Sequence, residues 1–129
     1  MAGALHHMAV NTTDFEKTVE FFQELFDMEV RKIQGEAPSR KLWFCQGIQV
    51  NEVPQTAPGG NTYDHIGIQV DNRPATLSKA LALGCRPVEG KPAHWLLTPE
   101  GYLLELMEDF ILKSCQRDLR TSNDFEKSF

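Results

Sequence analysis

The chain has 129 residues, of which 41% are hydrophobic and 24% are charged, and this composition predicts a folded globular protein rather than a disordered one. Its formal net charge of −5 argues against nucleic-acid binding, because a sequence-independent grip on phosphates needs clustered basic residues. No apolar run approaches the roughly 20 residues of a membrane span and the N-terminus lacks the pattern of a secretory signal, so we expect a cytoplasmic protein that binds a small molecule and no membrane.

The first half of the chain predicts a strand, a helix and three further strands. The first strand lies in ALHHMAVN, and the helix lies in TDFEKTVEFFQELFDM, where Thr13 and Glu16 have the spacing of a capping box. Apolar side chains recur along this helix every three or four residues and are therefore expected in the core. They are Phe15, Val19, Phe22 and Phe26, and the neighbouring Phe21 is expected in the core as well. The later strands are expected in MEVRKI, KLWFCQ and IQVNEV.

The second half repeats this order after PQTAPGGNT, a segment whose prolines and glycines favour neither helix nor strand. NTYDHIGIQV predicts a strand, and DNRPATLSKALALGC predicts a helix with Asp71 or Asn72 as N-cap, Pro74 in the first turn and Gly84 at its end. Strands are then expected in CRPVEG, HWLLT and YLLELME. The repeated order indicates a degenerate internal duplication.

Four polar residues occupy matching places in the two halves. His65 follows His7 at nearly the same separation as Glu105 follows Gln49. Strand alternation places all four side chains on the face opposite the helices, where they could line one concave surface. An isolated histidine at a strand start is more often a surface or hydrogen-bonded residue, and His6 would replace His7 if the register shifted by one. The prediction therefore depends on the four residues together.

The sequence resembles the vicinal oxygen chelate superfamily over positions 4 to 108. The segments that carry the resemblance are HHMAVNTTDFEKTVEFFQELFDMEV and TPEGYLLELMED. This superfamily includes glyoxalase I, methylmalonyl-CoA epimerase, extradiol dioxygenases, and fosfomycin and bleomycin resistance proteins. Phe26 and Asp27 differ from the leucine and glycine that are usual at the end of the first helix.

The resemblance implies an α+β fold in which two tandem βαβββ modules form a cupped mixed sheet with the helices outside. We place the first module at 1–53, a linker at 54–62, the second module at 63–110 and a C-terminal helix or tail at 111–129, together forming one compact domain. The resemblance also implies a homodimer and places four residues at metal-ligand positions. They are His7, Gln49, His65 and Glu105.

The activity implied by the resemblance is that of a glyoxalase-like lyase or isomerase. It would act on a small substrate with vicinal oxygens through a metal-stabilised enediolate, using zinc, nickel, cobalt or manganese. Glu105 is the predicted catalytic residue, because it would bind the metal and also move the proton. Asn11 stands where bacterial glyoxalase I often has an arginine that holds glutathione, and Ala9 stands where fosfomycin transferases have a catalytic threonine. Both positions argue against those two substrates.

Two alternatives remain open. His7, His65 and Glu105 alone form the two-histidine, one-carboxylate set that suits the iron of an extradiol-type dioxygenase. Gln49 would then be a bystander, and since a neutral amide is a poor ligand it could also orient substrate instead. The third hypothesis is a metal-free binding protein of the bleomycin-resistance type.

Residues around this site also have two interpretations. Basic side chains at positions 31, 32, 40 and 41 could attract an anionic substrate, although dispersed basic residues more often form a solvated edge. Trp43, Trp95 and His94 could line the cup. Glu52 and Glu108 lie three residues beyond Gln49 and Glu105, so they are expected on the other sheet face in contact with water.

Overall fold

The computed structural model describes residues 3–56 and 62–108, and within these ranges the chain forms eight strands and two helices. The first half contains β1 (Gly3–Thr12), α1 (Phe15–Phe26), β2 (Val30–Gln34), β3 (Lys41–Phe44) and β4 (Ile48–Glu52). The second half contains β5 (Tyr63–Val70), α2 (Arg73–Ala82), β6 (Arg86–Pro87), β7 (Trp95–Leu97) and β8 (Leu103–Met107). The α+β class and the repeated βαβββ order are confirmed, whereas linker residues 57–61 and the predicted tail at 111–129 lie outside the described residues.

The strands form one open mixed sheet in the order β2-β3-β4-β1-β5-β8-β7-β6. β1 pairs in parallel with β4, β5 pairs in parallel with β8, and the two halves meet through the antiparallel pair β1 and β5. The two modules therefore pair within the chain. The strands that carry His7 and His65 are adjacent at the centre of the sheet.

The helices cover two apolar clusters on one face of the sheet. The first contains buried Phe15, Leu42, Phe44 and Val50, and the second contains buried Val70, Leu96 and Leu106. Neither helix in the described part of the chain is long and apolar enough to cross a membrane.

The predicted core positions of Phe21 and Phe26 are wrong, because these residues are 54% and 55% exposed. Phe26 lies in the last turn of α1 and contacts the rings of Phe21 and Phe22, with centroids 6.2 and 6.3 Å away. Phe22 in turn packs against Phe44 of the sheet. The apolar periodicity of the helix thus continues for one turn beyond the sheet that it covers.

The helix ends show one correction and one confirmation. The N-cap of α1 is Asp14 rather than Thr13, and the Asp14 side chain accepts a hydrogen bond from the backbone N–H of Lys17. Asn72 caps α2 as predicted and accepts from the N–H of Ala75 at 3.0 Å. Asp27 adopts φ 53° at the end of α1, the left-handed conformation for which a glycine is common.

The predicted solvation of Glu52 is also wrong. Its carboxylate accepts hydrogen bonds from Arg40 Nε at 2.8 Å and from Arg40 Nη2 at 2.7 Å. Arg40 Nη2 also donates to Glu16 at 2.8 Å, and its guanidinium lies 4.3 Å from the ring centroid of Phe15. Arg40 therefore connects β4 to α1 and is occupied by structural contacts.

This ion pair predicts a specific loss of stability in acid. The hydrogen bonds from Arg40 lower the pKa of Glu52 from 4.5 to about 2. A lowered pKa in the folded state stabilises the fold above the unfolded value, and this contribution is lost as the pH falls from about 4.5 towards 2. The wild-type free energy of unfolding, measured with urea, should therefore decrease more over this range than that of Glu52→Gln. Glu89→Gln, an exposed control, should behave as wild type. Identical pH dependence in Glu52→Gln and wild type would contradict the prediction.

Candidate metal centre

The central strands bring the predicted ligands together through two rows of cross-strand neighbours. Each row crosses four adjacent strands. The neighbours along the first row are Trp43, Gln49, Ala9 and His65. The neighbours along the second row are Trp95, Glu105, Gly67 and His7. Each row contains a tryptophan, a polar candidate ligand, a small residue and a histidine. This correspondence supports the internal duplication and matches the position of Gln49 to that of Glu105.

Three ligand atoms from different strands converge on one point. His7 Nε2 and His65 Nε2 are 2.9 Å apart, and Glu105 Oε1 lies 3.3 Å from the first and 3.4 Å from the second. A cation about 2.0–2.2 Å from nitrogen and oxygen ligands places neighbouring ligand atoms roughly 3 Å apart. The donor set of His7, His65 and Glu105 therefore fits one divalent cation.

The imidazole of His7 reaches this point because the neighbouring strand has no side chain at Gly67. A Cβ atom on Gly67 would overlap the His7 ring and lie 2.8 Å from its Nε2 atom. The glycine thus provides the space in which the ring of His7 lies. His7 and His65 are each only 3% exposed, so their orientations are fixed by surrounding atoms.

The other ring nitrogens of both histidines are held by adjacent residues. His65 Nδ1 lies 2.6 Å from Asp64 Oδ2, and His7 Nδ1 lies 2.7 Å from His6 Nδ1. With the Nδ1–H of His65 donated to the carboxylate, its Nε2 lone pair points to the metal centre. His6 therefore supports His7, and the alternative in which His6 replaces His7 as ligand does not match this geometry.

The ionisable groups of the centre shift one another's pKa values. Burial disfavours a charged His65 ring, but hydrogen bonds to Asp64 and Glu105 outweigh burial and raise its pKa above the ordinary value. Burial by itself would raise the pKa of Glu105, but hydrogen bonds from His65 and His7 hold it well below its usual range. Glu105 is therefore ionised at neutral pH and can act as an anionic ligand.

Gln49 lies at the start of a chain of amide hydrogen bonds that ends at His65. Gln49 Nε2 donates to Asn51 Oδ1 at 2.8 Å, and Asn51 Nδ2 donates to Asn11 Oδ1 at 3.2 Å. Asn11 Nδ2 then donates to Asp64 Oδ1 at 3.2 Å, and Asp64 holds His65. The first of these bonds uses the amide nitrogen of Gln49, so its carbonyl oxygen is the atom that could ligate a cation.

The metal centre opens into a cavity of about 260 Å³. Trp43 and Trp95 line it, as one interpretation of the sequence expected, and the Trp95 ring lies 4.6 Å from that of His65. His94 Nε2 lies 3.6 Å from Glu105 Oε2, the oxygen that does not face the two imidazoles. The sequence analysis missed Asp64, Asn51 and Lys91, although the position of Asp64 directly before His65 was a usable signal.

Comparisons with known proteins agree with this fold. The model of a family described as a glyoxalase-like domain matches residues 7–107. A Streptomyces coelicolor methylmalonyl-CoA epimerase variant in complex with 2-nitronate-propionyl-CoA is 20% identical, with a TM-score of 0.63 over 80% of this chain and 92% of that chain. A hypothetical protein from Bacillus halodurans is 16% identical, with a TM-score of 0.64 over 85% and 96%.

A more distant similarity extends to an oxygenase. A halotolerant catechol dioxygenase is 11% identical, with a TM-score of 0.61 over 82% of this chain but only 40% of its own length. No match was found among curated protein sequences. At these identities, the structural similarities show a shared fold.

Proposed function

The chain belongs to the glyoxalase-like domain family of the vicinal oxygen chelate superfamily, and from this we propose that it is a metal-dependent lyase or isomerase that moves a proton beside a carbonyl group. Its substrate would be a small molecule with vicinal oxygens. The observation that carries this proposal is the convergence of His7 Nε2, His65 Nε2 and Glu105 Oε1 inside one cavity.

A divalent cation would be held by His7, His65 and Glu105, with the carbonyl oxygen of Gln49 as a fourth ligand, and when bound it supplies the Lewis acidity that makes such a proton removable. Two imidazoles, one carboxylate and one amide leave coordination positions for two neighbouring substrate oxygens. The set accommodates zinc, nickel, cobalt or manganese.

Glu105 is the proposed proton acceptor because its two oxygens have different surroundings. Oε1 faces both imidazoles, whereas Oε2 is turned towards His94 Nε2 at 3.6 Å. One oxygen can therefore ligate while the other takes the proton from the substrate carbon and returns it. A methylmalonyl-CoA epimerase among the structural neighbours is consistent with this reaction class, since inverting a carbon beside a carbonyl also begins with removal of the proton on that carbon.

The contacts of Asn11 give no support for glutathione as a cosubstrate. Both ends of the Asn11 amide are occupied, by Asp64 and by Asn51. Asn11 therefore acts in support of His65 and not as a substitute for a glutathione-binding arginine.

Three further points stay predictions, the first from the resemblance and the other two from the sequence itself. They are the homodimer, the cytoplasmic location and the module boundaries at 53–54 and 62–63. Exposed apolar side chains on α1 and β2, among them Leu25 and Ile33 at 60% and 56% exposure, support a protein partner on that side of the molecule.

Metal titration and proton exchange together test the proposed function. We expect the chelator-treated protein to bind one zinc, nickel, cobalt or manganese ion per chain by isothermal titration, and His65→Ala to lose this binding. The reconstituted protein in D₂O should incorporate deuterium beside the carbonyl of methylmalonyl-CoA or of an α-oxoaldehyde thiol adduct, as detected by mass spectrometry. Activity only with ferrous iron, oxygen and a catechol would instead identify an oxygenase, and absence of any metal binding would indicate a binding protein.

A further inference from the structure

One side of the cavity carries three basic residues from β2 and the start of β3, which we call the basic wall: Arg31, Lys32 and Lys41. The chain as a whole has a formal net charge of −5, so this local concentration of positive charge opposes the overall balance. A surface that carries one sign of charge attracts groups of the opposite sign. The basic wall therefore favours an anion next to the metal centre.

An irregularity in β2 places two consecutive side chains of the basic wall at the cavity. Val30 pairs with Phe44 and Lys32 pairs with Trp43, so Arg31 is an extra residue without its own partner on β3. In a regular strand, Arg31 and Lys32 would point to opposite faces. Bulges of this kind often redirect a side chain beside a functional site.

In the described part of the chain, the charges of the basic wall are not matched by carboxylates. The buried Nε of Arg31 has no hydrogen-bond partner among the described residues, and within that part of the chain no carboxylate forms an ion pair with any residue of the wall. Arg40, directly before Lys41, differs because it is paired with two glutamates. A buried hydrogen-bond donor without a partner is unfavourable in free energy. The planar guanidinium of Arg31 matches the geometry of carboxylate and phosphate oxygens.

The opposite side of the cavity differs in its charge balance. Lys91 Nζ lies 4.2 Å from the ring centroid of Trp95, and Asp64 lines the same cavity. On the basic wall, Lys32 Nζ lies 5.3 Å from the centroid of Trp43. Among the described residues, the two carboxylates that line the cavity belong to β5 and β8 and not to the strands of the basic wall.

The basic wall is separated from the metal centre across the sheet. β4 lies between β3 and β1, so the strands of Lys41 and His7 are two spacings apart, about 10 Å. One anionic group cannot occupy both places. We propose that the substrate carries a second anionic group, a carboxylate or a phosphate, which the basic wall binds while the vicinal oxygens lie at the metal centre. This inference rests on the proposed function, since it adds a substrate class to the same site.

Three 2-oxo acids of similar length test this proposal on the zinc-loaded protein at low ionic strength. They are 2-oxopentanoate, with a neutral tail, 2-oxoglutarate, with a carboxylate tail, and 2-oxo-4-phosphonobutanoate, with a phosphonate tail. By isothermal titration, we expect at least one charged-tail acid to bind about 10-fold more tightly than 2-oxopentanoate, as one charged hydrogen bond contributes. The tail that binds more tightly identifies the anion.

Two variants assign the preference to the basic wall. Arg31→Gln and Lys41→Gln should each reduce the preference for the charged tail to less than about 3-fold without changing zinc affinity. Arg86→Gln makes an equal charge change outside the cavity and should retain the preference. Equal binding of all three acids by wild type, or a preference that survives in both wall variants, would overturn the inference alone. If wild type binds no divalent cation, the proposed function fails. The basic wall can then still be tested by comparing the affinities of the metal-free protein for glutarate and for pentanoate.

Discussion

Glu105→Gln is expected to lower the rate of proton exchange beside the substrate carbonyl by more than ~100-fold, the scale of general-base catalysis. The amide has nearly the shape of the carboxylate but has lost the negative charge and the basic oxygen. The rate is measured as deuterium incorporation in D₂O at saturating metal, with bound metal quantified in each sample. Because Glu105 is also a proposed ligand, weaker metal binding is expected as well, and comparison at equal metal content separates the two effects.

Glu100→Gln is the matched control for this experiment. Glu100 is exposed in the turn before β8, so the same chemical change there should leave both the exchange rate and the metal affinity at the wild-type values. Circular dichroism and thermal unfolding verify that each variant is folded. Wild-type turnover by a folded, fully metallated Glu105→Gln protein would remove Glu105 from its catalytic role.

The part of the site that follows from strand alternation was predictable from the sequence. His7, Gln49, His65 and Glu105 lie within strands and alternate regularly with the residues that follow them, so a period of two assigns their side chains to one face. The duplication showed which residues of the two halves are equivalent, because they recur at similar separations. The element order followed from the same repeat and the mixed sheet from the family resemblance, and both are confirmed.

One residue that the sequence analysis missed, Asp64, lies where alternation fails. Asp64 is an extra residue between the pairs Ala9–His65 and Val10–Tyr63, and it therefore shares the cavity with His65. His6 has the same relation to His7. Neither bulge is marked in the sequence by a glycine or by a break in the apolar pattern. A period of two therefore assigns the side chain of the extra residue to the wrong face.

Long-range pairing of charged residues was equally hidden. Arg40 and Glu52 lie 12 residues apart on different elements, and local sequence gave no reason to pair them. The same is true of Lys91 and Asp64, which line one cavity only because β5 and the segment before β7 both border it. Contacts of this kind depend on sheet order, which pattern alone does not specify.

Gly67→Ala is expected to weaken divalent metal binding by at least ~100-fold, more than the usual effect of losing a residue that merely supports a ligand. The added methyl group would occupy the space of the His7 ring, and a buried ring cannot move aside without leaving the cation. Ala9, the matching residue of the other row, already has a Cβ beside His65, so the requirement for glycine is specific to the His7 side. Zinc affinity is measured by isothermal titration.

Gly3→Ala provides the control, because it makes the same change on β1 where the nearest atom to the new Cβ is 3.4 Å away, an ordinary contact. Its zinc affinity and thermal unfolding should match wild type. Gly67→Ala should unfold at a lower temperature without metal, since overpacking of a buried site costs about 1–3 kcal/mol. Folded Gly67→Ala protein with wild-type zinc affinity would show that His7 does not ligate the cation from its observed position, and the three-atom centre would then have to be rebuilt around His65 and Glu105.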